Sequence, residues 1–143
     1  MKRSIIAAIA TMLALPAFAV ANEAIDKAAK EKGAVKTASG MVFRSIKDGN
    51  GASPTPKSTV EVNYRGTLTN GKEFDSSYKR NQSISFQLSR VIPCWTEGVQ
   101  MMKVGGKAQL VCPPELAYGS RGAGRDVPPN ATLIFDVELL NVK

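Results

Sequence analysis

Apolar residues recur at every second position through much of this chain, and that period limits what it can fold into. Val60, Val62 and Tyr64 alternate with Glu61, Asn63 and Arg65. Ile84, Phe86 and Leu88 alternate with Ser83, Ser85, Gln87 and Ser89, while Leu133, Phe135, Val137 and Leu139 share one face of a later segment. Such alternation predicts strands with one buried face. Lys107 to Cys112 reads as another, Phe74 opens a returning strand, and Met41 to Lys47 is a further candidate. Between Leu68 and Phe74, the run Thr69-Asn70-Gly71-Lys72 predicts a tight two-residue hairpin connection, because Asn-Gly accepts positive φ.

Only one helix stands out among these strands. Pro93 occupies a place where a first-turn proline is tolerated, Trp95, Val99 and Met102 follow at i, i+4 and i+7, and Gly105-Gly106 stops the run. A single short helix among strands predicts an α+β fold, with a curved antiparallel sheet of five to six strands wrapped around it.

The N-terminus has a different character. Lys2 and Arg3 precede an apolar run from Ile5 to Val20, with small residues at Ala17, Ala19 and Ala21. This is the pattern of a secretory signal peptide over residues 1–21, cut after Ala19 or Ala21. As a helix the run rises about 24 Å, short of the roughly 30 Å needed to span a bilayer. Export to a periplasm, with no stable membrane association after cleavage, is the resulting expectation. Removing the two cations lowers the net charge from +7 to +5. Residues 22–36 then form a short tail with helical potential from Asn22 to Lys32, and an isolated helix of that length frays in water. Residues 37–143 form one domain, since what remains is too short for two.

Charge and reactive groups narrow the function. Lys47, Lys57, Arg65, Lys72, Lys79, Arg80, Arg90, Lys103 and Lys107 are scattered rather than clustered with aromatics, which argues against nucleic acid. The chain has no histidine, so neither cysteine has one to activate it. No metal site or cofactor is expected. Cys94 and Cys112 are an even pair in an exported chain, and a disulfide or two buried free thiols both fit. Ala117 to Val137 sets Tyr118, a glycine-rich segment, Pro128-Pro129 and Phe135 within about twenty residues, a combination able to form a lidded apolar cleft.

Five blocks carry a resemblance: Val62-Asn63-Tyr64-Arg65-Gly66, Gly71-Lys72-Glu73-Phe74-Asp75-Ser76-Ser77, Val91-Ile92-Pro93-Cys94-Trp95-Thr96-Glu97-Gly98, Pro114-Glu115-Leu116-Ala117-Tyr118-Gly119, and Phe135-Asp136-Val137-Glu138-Leu139-Leu140. In order and spacing, residues 37 to 142 resemble the FKBP family of peptidyl-prolyl cis-trans isomerases. The leader and the Val91-Ile92-Pro93-Cys94-Trp95 wording point to its bacterial secreted, Mip-like branch, without that branch's long N-terminal dimerisation domain, and a monomer is expected.

The resemblance implies a cleft floored by Trp95, with Phe74, Asp75, Tyr118 and Phe135 as its catalytic positions. Tyr64, Arg80, Ile84, Phe86, Val91, Ile92 and Val127 are implied as substrate-binding positions. Arg80 would pair with Asp75, and the Tyr118 hydroxyl and the Ile92 N–H would donate to substrate. The implied partners are X-Pro segments of unfolded or partly folded proteins, and the macrolide inhibitors tacrolimus and rapamycin. A chaperone or proline-peptide binding module using the same cleft is the alternative. Ile84 stands where many relatives carry an aromatic, and Asp126-Val127 replaces an aliphatic pair; both departures bear on ligand preference.

Overall fold

The computed structural model describes residues 17–143, with side chains from Glu23 onward. The expected leader therefore lies outside the described residues except for 17–21, whose backbone forms the start of a helix. That helix, α1, spans Ala17–Ala29. The strands are β1 (Ala34–Lys36), β2 (Val42–Lys47), β3 (Thr59–Leu68), β4 (Glu73–Ser76), β5 (Ile84–Gln87), β6 (Lys107–Cys112) and β7 (Leu133–Val142), with a second helix, α2 (Pro93–Val99), between β5 and β6. All the pairings are antiparallel, in the order β1-β2-β6-β7-β3-β4, with β5 also on β3. The α+β architecture matches the expectation, with seven strands rather than five to six.

Register turns the alternation of the sequence into two faces. Phe43, Leu110 and Phe135 lie side by side across β2, β6 and β7, and their row faces α2. One residue along, Val42, Val111 and Ile134 form the opposite row, on the outer face. The inner row joins Val60, Val62, Val137, Leu139, Val99 and Met102 in the main core. Gly98 lets α2 sit low on the sheet: a Cβ there would lie 2.8 Å from a Leu110 methyl. Pro93 is at the helix start as expected, but α2 stops at Val99, and Met102 reaches the core from the turn beyond. Cys94 and Cys112 are joined by a disulfide, with Cα atoms 5.7 Å apart. This resolves the bridge-or-thiol alternative and pins the start of α2 to the end of β6.

Three local expectations change. The β3–β4 connection is longer than a two-residue turn: Gly71 N–H donates to Leu68 O at 2.9 Å, and Gly71 alone takes positive φ, +89°. This is a type I turn closed by a left-handed glycine, with the Asn70 side chain accepting from Lys72 N–H at 2.9 Å instead of its backbone turning left-handed. β1, too short and exposed to show a period, pairs with β2 at the sheet edge. The segment expected to fray is docked: Ile25 is 5% exposed against Val42 and Val111 on the outer face.

Candidate functional site

β3 is paired on one edge by two separate short strands, β5 alongside Thr59–Val62 and β4 alongside Arg65–Thr67. Ser77 fills the gap between them. Its N–H donates to Tyr64 O at 2.9 Å, its Oγ accepts from Tyr64 N–H at 2.8 Å, and the same hydroxyl donates to Asn63 Oδ1. The β3 backbone is thereby satisfied where no strand covers it, and the Tyr64 ring projects inward beside α2.

Three rings converge there on Trp95, the third residue of α2, and a fourth packs against one of them. Tyr64 and Phe135 meet it edge-on, with centroids 5.2 Å away in each case, and Phe86 lies at 5.4 Å. Phe74 meets Phe135 edge-on at 5.6 Å. Edge-to-face packing suits the quadrupoles of aromatic rings and leaves wedge-shaped space between them. Gly66 admits the Phe74–Phe135 pair, since a Cβ at that position would lie 2.5 Å from the Phe74 ring. The Trp95 Nε1 is buried without a hydrogen-bond partner among the described residues, so packing alone orients the indole.

The rings do not close the space above the indole. A cavity of about 470 Å³ opens to solvent between Tyr64, Phe74, Asp75, Ile84, Phe86, Arg90, Val91, Ile92, Trp95, Tyr118 and Phe135. A second hollow of about 420 Å³, beside Lys47, Lys103 and Lys107, has Phe43 as its one ring and lacks such an aromatic wall.

Polar groups stand on one side of the aromatic cleft. The Asp75 carboxylate accepts from the Tyr64 hydroxyl, from Arg80 Nη1 at 2.6 Å and from Ser76 N–H at 2.9 Å, while Arg80 Nη2 donates to the Tyr64 oxygen at 3.2 Å. Burial alone would raise the Asp75 pKa, but the hydrogen bonds from Tyr64 and Arg80 outweigh it and hold the carboxyl below its ordinary value. Burial and the Asp75 carboxylate push the Tyr64 phenol up. Asp75 is therefore an anion and Tyr64 a neutral donor at neutral pH, each already engaged. The Tyr118 hydroxyl makes no hydrogen bond among the described residues, and Tyr118 is 42% exposed. Ile92 N–H is likewise free of any protein acceptor among them. Both residues line the cleft.

The sequence of residues 51–140 matches the model of the FKBP-type peptidyl-prolyl cis-trans isomerase domain. The chain belongs to this family. Over 118 residues it is 54% identical to the FKBP-type peptidyl-prolyl cis-trans isomerase FkpA of Escherichia coli strain K12, an alignment covering 82% of this chain and 43% of FkpA. The chain thus spans less than half the length of that relative. The crystal structure of FkpA from Escherichia coli superposes with a TM-score of 0.84 at 53% identity, covering 87% of this chain and 58% of that one. A peptidyl-prolyl cis-trans isomerase from Pseudomonas syringae pv. tomato superposes at 0.83 with 34% identity, covering 92% of this chain and 98% of that one. The family in general binds proline-containing peptides and macrolides.

Of the positions expected from the sequence, Phe74, Asp75, Trp95, Tyr118, Phe135, Tyr64, Ile84, Phe86, Val91 and Ile92 line the one cleft. Arg80 stands behind Asp75. Val127 is not among the residues lining this cavity. It pairs with Ala123 through hydrogen bonds of 2.8 and 3.1 Å that fold the segment between β6 and β7 onto itself, and its side chain is 3% exposed in the main core. Arg90 was counted with the scattered surface cations but lines the cleft. The signal that could have found it is its position directly before Val91-Ile92.

Proposed function

We propose that this chain is a peptidyl-prolyl cis-trans isomerase acting on X-Pro segments of unfolded or partly folded proteins in a periplasm. The observation that carries this reading is the open cleft floored by Trp95 and walled by rings, with no nucleophile at its centre. Family membership supports the same reaction. The disulfide and the leader-like N-terminus favour an oxidising destination.

The chemistry follows from the bond being rotated. Resonance holds an X-Pro bond planar behind a barrier of about 18–20 kcal/mol, and isomerisation unaided takes about 10–100 s. Twisting the bond removes the resonance, so the carbonyl becomes less polar and the ring nitrogen pyramidal. Water solvates the planar, charge-separated form better than the twisted one. A proline seated over Trp95 between Phe74, Phe86 and Phe135 is withdrawn from water, and the barrier falls by the planar form's lost advantage. Tyr118 and the Ile92 N–H can hold substrate carbonyls while the bond turns. The anionic Asp75, fixed by Tyr64 and Arg80, can approach the carbon of the twisting carbonyl. A thousandfold acceleration requires about 4 kcal/mol, within the reach of desolvation and positioning. Tacrolimus and rapamycin would occupy the same hollow.

A protease-free assay of a blocked Leu-Pro-Phe peptide tests the reading. The purified protein should speed cis-to-trans conversion in proportion to its concentration, and tacrolimus should suppress the effect. Absence of acceleration by folded protein would sink it.

A further inference from the structure

Two charged residues, Asp75 and Arg90, are among those lining the cleft, and the charge of only one of them is compensated. Asp75 is bound by Arg80 and Tyr64. Arg90 takes part in none of the salt bridges or side-chain hydrogen bonds among the described residues. Its side chain is exposed, but its backbone is fixed. Arg90 ends the 3-10 turn Leu88–Arg90, whose Leu88 is fully buried. Leu88 N–H donates to Ser58 O at 2.9 Å, Ser89 N–H to Pro56 O at 2.9 Å, and Thr96 Oγ1 to Leu88 O at 2.8 Å. The next two residues, Val91 and Ile92, form cleft wall, so the backbone that carries the Arg90 side chain is held directly beside the surface that a substrate would touch.

We propose that Arg90 is a specificity residue that favours X-Pro segments carrying an aspartate or glutamate close to the proline. The inference rests on the isomerase reading and names the substrate class of that same site. A lone cation beside an apolar hollow attracts an anionic neighbour of the seated proline and repels a cationic one. The discrimination is electrostatic, so it is modest at an exposed site and screened by salt. Arg also presents a planar fork of donors that fits a carboxylate, which lysine lacks.

The test is a peptide series built on blocked Leu-Pro-Phe, with Glu, Gln or Lys placed in turn at each position within two residues of the proline. At about 20 mM salt one register should show kcat/KM for Glu about two- to fivefold above Lys, with Gln between. At about 0.5 M salt the spread should collapse. Arg90→Glu should invert the order of Glu and Lys at that register, and Arg90→Lys should retain it in weaker form. Equal turnover of Glu and Lys peptides at every register, while the neutral Leu-Pro-Phe peptide is turned over, overturns this inference alone. So does a preference that Arg90→Glu leaves intact. A protein inert on the neutral peptide overturns both this inference and the isomerase reading.

Discussion

The two faces of the sheet start from the same alternation and end differently. On the outer face Val42, Val111 and Ile134, branched aliphatics in a flat row, are covered by Ile25 and the alanines of α1. On the inner face, one residue along the same strands, Phe43, Leu110 and Phe135 lead into a cluster of rings that packs edge-to-face and stays open to solvent. Flat aliphatic rows accept a helix and close. Rings at steep angles around a single indole leave a hollow, because their edges cannot be filled by side chains from an α2 of only seven residues. Residue shape, more than hydrophobicity, thus separates the face that stabilises from the face that binds.

The contrast can be broken or sharpened by substitution. The disulfide belongs to the inner face, since Cys94 and Cys112 are both buried in the main core. Replacing Cys94 and Cys112 with Ala should cost about 3 kcal/mol of stability for a bridge that closes 18 residues, read by urea unfolding. Trp95→Leu should lower kcat/KM by about a hundredfold, equal to about 2.7 kcal/mol, while far-UV circular dichroism stays native. A small loss would mean that the walls suffice without their floor.

Ile25→Ala should behave in the opposite way, removing about 2 kcal/mol of stability at a buried position with kcat/KM within about twofold of the parent. An equal fall in activity would show that the two faces are coupled through the sheet. Asp75→Asn keeps the shape of the side chain but leaves Arg80 without its charge partner. A decrease in kcat/KM of about tenfold, about 1.4 kcal/mol, is expected.

The smallest effect is in pH. The Asp75 carboxyl titrates below its ordinary value, so its stabilising contacts are present above about pH 4 and are lost as pH falls through the lowered folded value. kcat/KM should be flat from about pH 5 to about pH 8 and decline only in stronger acid. At the other extreme, burial and the Glu138 carboxylate push Tyr78 up to about 12. Its contribution holds below about pH 10 and is lost as pH rises toward that value, so unfolding in base, followed by tyrosine absorbance, should begin on the outer face where Tyr78 bonds Glu138.

What could be read from the sequence follows the same division. Strands of four or more residues with alternating burial were legible, because Val60, Val62 and Tyr64 or Leu133, Phe135 and Val137 carry their own period. So was the helix start at Pro93. β1 was not legible: Val35 is 52% exposed, and β1 exists by pairing with β2 rather than by burying a face. α1 looked like a fraying tail because a lone Ile25 among alanines and charges has too little apolar surface to hold a helix by itself. Its partner row became visible only once register had brought Val42, Val111 and Ile134 together. The hairpin missed by one residue because Asn70 caps with its side chain instead of turning its backbone. In the cleft, the residues legible beforehand are the rings that shape it. Arg90 was hidden among other cations, since nothing in a count of charges separates one that faces a hollow from one that faces water. Val127 is not among the residues lining the cavity, because the turn it closes with Ala123 carries it into the core.

The position of β7 has a consequence for how the molecule is made. It is the last of the seven strands to be synthesised, yet it lies between β6 and β3. Until residues 133–142 have emerged, β1-β2-β6 and β3-β4-β5 are two half-sheets with no seam, each presenting an edge of unpaired backbone groups. Closure therefore waits for β7 and depends on contacts distant in the chain, the slow class of folding.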